Sequence, residues 1–188
     1  MKGDAMKNNE LISNGNIYLR LMQNTENDMN FLLHWLTNPQ VVKCAYEEGA
    51  PWDMSKIIEE FAEKTEEGGS AIPYIIMYNG KEIGYLQYYP IKEDSYVFNN
   101  SETFKMVENG YGIDIFIGEP ELWNKGIGSL AIGLIKDYLK NRMKTKILCV
   151  DPATDNARAV HFWQKVGFKP IDVIKNYDDK KNSILIIF

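Results

Sequence analysis

The sequence predicts a mixed α/β fold, and three observations predict it. Short apolar strand-like runs recur along the chain, amphipathic helical stretches alternate with them, and a strand running into glycines and then a helix occupies the middle. At 188 residues, with 45% hydrophobic and 12% aromatic content, the chain has the size of one ordinary domain and enough apolar material to fill its core. No repeat, low-complexity tract or linker rich in proline, glycine or serine divides it, so residues 1–188 are read as a single domain.

Ile17 to Leu21 alternates apolar and polar residues as a first strand does. Thr25 to Leu36 follows as a helix ending near Pro39, with Thr25 and Asp28 at capping-box spacing ahead of Phe31, Leu32, Trp35 and Leu36. Asp53 or Ser55 caps a second helix, whose Ile57, Ile58, Phe61 and Ala62 make one apolar stripe and which Gly68-Gly69 stops. Two strands, Pro73 to Tyr78 and Lys81 to Gln87, flank Asn79-Gly80, a dipeptide favoured in type I′ hairpin turns because both residues tolerate positive φ.

Residues 93–110 are polar, acidic and without a clear period, which predicts a long loop or a short helical insertion. Tyr111 to Ile117 is a strand, the glycines of Gly118 to Gly128 break regular structure, and a helix begins near Ser129. Ile127, Leu130, Ala131, Leu134, Ile135, Tyr138 and Leu139 recur at amphipathic-helix spacing, so one face of that helix must cover a sheet. Lys146 to Asp151 is another strand. Asp155 or Asn156 caps a helix from Ala157 to Val166 that Gly167 ends, and Ile171 to Lys175 and Ser183 to Phe188 supply the last two strands.

Lys+Arg 21 against Asp+Glu 26 gives a net charge of -5, which repels phosphate backbones and anionic lipid, so neither nucleic acid nor membrane is expected as a partner. No apolar run approaches the roughly 20 residues of a membrane span. Met1 to Asn9 is polar with no apolar signal segment behind it, and the expected location is the cytoplasm. Cys44 and Cys149 lie far apart and outside any C-x-x-C pattern, and Cys149 reads as core. His34 and His161 lack a second ligand at zinc spacing, no G-x-S-x-G elbow exists, and no metal is expected.

A strand that meets glycines and then a helix is a device for holding phosphate: the first helical N–H groups lack acceptors, and glycines let an anion approach the main chain. Trp123-Asn124-Lys125-Gly126-Ile127-Gly128-Ser129 is built that way. It is not a Walker A loop, because Lys125 precedes Gly126, and not a dinucleotide fingerprint, because Ala131 holds the place of the third glycine. Two glycines before a helix are also a common packing device, and spacing alone leaves that alternative open.

Gly112 to Gly128 resembles the acetyl-coenzyme A motif of the GNAT superfamily, most of all its aminoglycoside 6′-N-acetyltransferase branch. Asp151 to Ala159, running on to Lys165-Val166-Gly167-Phe168, is similar to the later motif of that family, and Pro73-Tyr74-Ile75 and Gly84-Tyr85-Leu86-Gln87 match the branch. The resemblance implies an α+β arrangement: a mixed, mostly antiparallel twisted sheet flanked by helices. It implies transfer of an acetyl group from acetyl-CoA to a primary amine, the 6′-amino group of an aminoglycoside, by direct attack in a ternary complex. Main-chain groups of Ile115, Phe116 and Ile117 would hold the pantetheine arm. N–H groups of Trp123, Asn124, Lys125, Gly126, Ile127, Gly128 and Ser129 would hold the pyrophosphate, and Asn156 would contact the coenzyme. Trp123 departs from the Gln or Arg usual in the superfamily. Trp163 stands where a Tyr is often found near the thiol leaving group, and an indole N–H donates a hydrogen bond but delivers no proton.

An amine must be neutral to attack a thioester carbonyl. Asp114 is the candidate catalytic residue. Alternation sets it on the opposite face from Ile113 and Ile115, and a carboxylate among apolar neighbours is costly unless it faces a site or a partner. The alternative is an Asp on a solvent-facing strand surface. A carboxylate, with a reference pKa of about 4, is a weak direct base, so its expected work is to anchor the ammonium and pass the proton through water. Asp151 is a second carboxylate for the amine, and Gln87, Tyr74 and Tyr46 are candidates for the rest of the acceptor pocket. Glu47, Glu48, Glu93, Asp94, Glu102 and Glu108 would draw in a polycation over longer range. Within the same class, a polyamine, another small amine or a protein amino group is an alternative acceptor. From a different class, the alternative is a non-catalytic acetyl-CoA-binding module. The chain is expected to be a monomer or a homodimer.

Overall fold

A computed structural model describes residues 12–45, 51–92, 101–175 and 182–188. The strands are β1 (Ile12–Asn14), β2 (Ile17–Leu21), β3 (Ile72–Tyr78), β4 (Lys81–Pro90), β5 (Tyr111–Ile117), β6 (Leu148–Val150), β7 (Lys169–Lys175) and β8 (Asn182–Ile187). The helices are α1 (Glu26–Leu36), α2 (Pro39–Ala45), α3 (Met54–Phe61), α4 (Ser101–Val107), α5 (Ile127–Asn141) and α6 (Ala157–Lys165). The described residues form two compact units: one takes in those up to Gln87 together with Ile115–Ile135, the other those of Tyr88–Asp114 together with those of Lys136–Phe188. Among the described residues, no helix is long and apolar enough to cross a membrane.

In the first unit the strands run in the order β1-β2-β3-β4-β5. β1, only three residues long and too short to show a period, pairs with β2 through a turn at Gly15, whose φ is 62°. β2 and β3 are antiparallel from Ile17↔Tyr78 to Leu21↔Tyr74. The β3–β4 turn is the one expected: Asn79 and Gly80 have φ of 50° and 77°. Gly118 N–H donates to Ile83 O at 2.8 Å and so joins the end of β5 to β4.

Thr25 caps α1, its hydroxyl accepting from Asp28 N–H at 3.3 Å. The Asp28 carboxylate, however, reaches past the cap to accept Gln23 N–H and one N–H from each terminal guanidinium nitrogen of Arg20, each at 2.9 Å. Those bonds raise the Arg20 pKa above its ordinary value, against the opposing effect of burial.

Pro39 does not merely follow a helix; it starts α2. At the first helical position proline loses no hydrogen bond, and the Asn38 side chain accepts from Gln40 N–H at 3.0 Å. Of the two expected caps for α3, Asp53 serves, accepting from Lys56 N–H at 2.9 Å. Its apolar stripe is narrower than expected: Ile57 and Phe61 are buried, whereas Ile58 is 49% exposed. These helices cover a core of Leu32, Trp35, Ile57, Phe61, Ile75, Tyr85 and Phe116.

The second unit has the order β4-β5-β6-β8-β7. Ile91 N–H donates to Gly110 O at 2.9 Å, which continues the antiparallel β4–β5 pairing. β6 is parallel to β5 over Tyr111↔Leu148 and Gly112↔Cys149 and antiparallel to β8, while β7 and β8 are antiparallel with a bulge between Pro170 and Asp172. Residues 101–107 take the helical of the two options left open, as α4. Asn156 caps α6, accepting from Ala159 N–H at 3.0 Å, and Gly167 follows it with φ of 98°.

Candidate functional site

The site builds outward from the C-terminal half of β5. The ladder with β6 ends at Gly112, so the main chain of Ile115 to Ile117 lies beyond it. On the β4 side the strands approach closely: a Cβ at Gly84 would stand 2.4 Å from the carbonyl oxygen of Phe116. After Ile117 the chain turns sharply. Gly118 lies flush against the ring of buried Trp35, and the Trp35 indole N–H donates to Glu119 Oε1 at 2.9 Å. A 3-10 turn, Pro120–Leu122, follows, and Trp123 N–H closes it on Pro120 O at 3.1 Å. The Trp123 ring packs on the core of the first unit, and its indole N–H donates to Ile117 O at 2.8 Å.

Beyond Trp123 the backbone changes hand. Asn124 and Gly126 have φ of 59° and 81°, both left-handed, and α5 starts at Ile127, two residues ahead of the expected place. Alternation of left- and right-handed residues turns successive amides toward one point, the concavity that binds anions. The first helical N–H to be satisfied here is that of Leu130, which reaches Gly126 O at 3.1 Å. Among the described residues, none of the six N–H groups from Asn124 to Ser129 has an acceptor. Gly126 is exposed, with no atom within 4 Å of where a Cβ would be, so the approach is open. The positive end of the α5 dipole and exposed Lys125 add to the attraction for an anion. The expected run of free amides is therefore brought together, with one correction: Trp123 N–H is consumed by the 3-10 turn, and the run begins at Asn124.

Other candidates stand as follows. Gln87 is half-buried and accepts from the Tyr85 hydroxyl at 2.7 Å, while the Tyr85 ring stacks on Phe116 with centroids 5.7 Å apart. Tyr74 is 1% exposed, on a strand whose middle five residues are all buried. Tyr46, Glu47, Glu48, Glu93 and Asp94 lie outside the described residues. Glu102 is exposed and pairs with Lys105 at 3.0 Å, and Glu108 is exposed.

In the second unit, Asp114 is half-buried beside fully buried Ile113, as the alternation requires, and Asp151, directly after β6, is half-buried too. Asn156 has its Oδ1 in the α6 cap. Trp163 is 6% exposed, edge-on to Phe168 with centroids 5.1 Å apart. Burial, seconded by the charge of Asp151, pushes the Cys149 thiol up to about 12. His161 is exposed, and among the described residues no three His, Cys, Asp or Glu side chains are placed to hold a metal ion. Sequence reasoning missed Trp35 and Glu119. Their link spans 84 positions, and only the Gly118-Glu119-Pro120 break hinted at a special turn.

A family model described as an acetyltransferase (GNAT) domain matches residues 24–175. The aminoglycoside N(6′)-acetyltransferase type 1 of Klebsiella pneumoniae is 30% identical over 157 residues, which cover 84% of this chain and 76% of that protein. The protein of the same name from Serratia marcescens matches to the same extent. Among solved structures, aminoglycoside acetyltransferase AAC(6′)-Ib in complex with coenzyme A superposes with a TM-score of 0.75 at 25% identity, over 92% of this chain and 94% of that one. Its complex with ribostamycin and coenzyme A gives a TM-score of 0.76 at 25% identity, over 91% and 92%.

Proposed function

Because the chain belongs to the acetyltransferase (GNAT) domain family, we propose that it transfers the acetyl group of acetyl-CoA to the 6′-amino group of an aminoglycoside by direct attack in a ternary complex. The observation that carries this reading is the run of open amides from Asn124 to Ser129 at the end of β5. It suits a pyrophosphate, whose charge the amides and the helix dipole meet without needing a side chain. The choice of acceptor rests on the relatives, whose names are those of aminoglycoside 6′-acetyltransferases.

The main chain of Ile115 to Ile117 extends beyond the β5–β6 ladder and offers its groups to the amides of the pantetheine arm. The acceptor arrives as an ammonium ion, and a carboxylate both attracts it and takes up the released proton through water. Asp114 is assigned that work, with Asp151 as a second carboxylate, and Gln87 is assigned to binding the acceptor. The neutral nitrogen attacks the thioester carbonyl, the new C–N bond forms, and the C–S bond breaks with its electron pair on sulfur, while the proton that the nitrogen sheds on becoming an amide passes through water to solvent. A thiolate with a free pKa of about 8.5 leaves without strong acid assistance. That fits Trp163, whose N–H delivers no proton. A covalent acyl-enzyme is disfavoured at Cys149, since its buried thiol, with a pKa of about 12, is not a thiolate at neutral pH. The proposed place of work is the cytoplasm, where acetyl-CoA is at hand.

The test is release of coenzyme A thiol, followed colourimetrically, with a panel of amines. Turnover is expected with kanamycin-type acceptors that carry a 6′-amine and not with aminoglycosides lacking it. Equal turnover on polyamines would move the acceptor assignment, and coenzyme binding without thiol release from any amine would replace the enzyme with a binding module.

A further inference from the structure

Two indole N–H groups brace the loop that joins β5 to the open amides. Trp123 donates to Ile117 O at 2.8 Å, a bond that spans six positions and ties the loop's end to its beginning. Trp35 donates to Glu119 Oε1 at 2.9 Å and presses its ring on Gly118. Neither bond belongs to a helix or a strand ladder, and neither is needed to bury an aromatic ring, which a phenyl group would do as well. What they do is brace the short 3-10 turn that leads away from β5, directly ahead of two left-handed residues. Asn124 and Gly126 are residue types that tolerate φ of 59° and 81°, so it is the loop ahead of them that settles where their amides point.

We infer that Trp123 is a positioning residue for the coenzyme: its bond to the Ile117 carbonyl sets the direction of the amides from Asn124 to Ser129 before the pyrophosphate arrives. Trp35, through Glu119, holds the opposite side of the same loop. The inference rests on the coenzyme reading above. It makes the large side chain at position 123 a matter of its N–H rather than of its bulk.

The test replaces Trp123 with Phe, which keeps an aromatic ring and removes the donor. A second variant carries benzothienylalanine at position 123, which keeps the bicyclic shape and has sulfur in place of N–H. Coenzyme A affinity by calorimetry is expected to fall about fivefold to tenfold in both, the size of one lost hydrogen bond. The KM for acetyl-CoA should rise in step, with kcat and the acceptor KM held within about twofold. S-acetylpantetheine, which lacks the pyrophosphate, separates positioning of the amides from an effect through Ile117, whose main chain is assigned to the pantetheine arm: its KM should rise less than that of acetyl-CoA. Unchanged coenzyme affinity in both variants, or an equal loss for S-acetylpantetheine, overturns the inference while leaving the coenzyme reading intact. A wild-type chain that binds no coenzyme A overturns both.

Discussion

The ring of Trp35 lies so close to Gly118 that a Cβ at position 118 would stand 2.1 Å from it, while the indole N–H of Trp35 reaches the next residue, Glu119, at 2.9 Å. Trp35 is fully buried and in edge contact with Phe116, so the ring has no room to retreat. Gly118→Ala must therefore move the loop rather than the ring. Urea unfolding should show a loss of about 1–3 kcal/mol, the usual cost of overpacking, and coenzyme affinity should fall with it. Wild-type values for both would show that the loop yields without consequence.

Asp28, 2% exposed, accepts three N–H groups and is the negative partner of Arg20. Arg20 is about one-third exposed and keeps Glu82 at 3.8 Å, but Asp28 is buried and also accepts Gln23 N–H, so Asp28→Ala should cost about 1–3 kcal/mol in chemical denaturation. The double replacement of Arg20 and Asp28 by apolar residues should recover much of that loss. If the single and double variants are equally unstable, the charge pairing is not the cause.

Asp114→Asn removes a negative charge at constant shape. On the proposed mechanism it lowers kcat/KM for the amine by two orders of magnitude or more, the scale of a positioned proton acceptor, and leaves coenzyme A affinity near its wild-type value. An unchanged turnover rate would take Asp114 out of the mechanism and leave it as a half-buried strand residue.

The Cys149 thiol, raised from 9.0 to about 12 mainly by burial, gives a pH signature. Above pH 9 the unfolded chain sheds this proton and the folded chain keeps it, so the unfolded state binds fewer protons and stability falls as pH climbs from about 9 toward 12. The stability gap between wild type and Cys149→Ala should narrow over that window, and a gap independent of pH would refute the assignment. At pH 8, iodoacetamide should modify half-buried Cys44 well before Cys149.

Much of the fold was legible because its signals act over a few residues. The Asn79-Gly80 turn, the cap at Thr25 and the glycine that ends α6 each depend on a local φ or one short hydrogen bond and stand where the sequence places them, while Asp53 and Asn156 are each one of the two caps that it left open. Where a local signal had two meanings, only one was read: α1 does end just before Pro39, but Pro39 also starts α2. β1 escaped because three residues carry no period.

What the sequence by itself determined is the course of most strands and helices and a run of glycine-spaced amides read as Trp123 to Ser129, since these follow from backbone conformations that neighbouring residues impose. What only the tertiary structure decided is which of those groups remain available: Tyr74 is enclosed, Trp123 N–H closes a turn, and Trp35 grips Glu119 from 84 positions away. The physical reason is that availability depends on what packs from distant parts of the chain, and no spacing along a strand or helix records that.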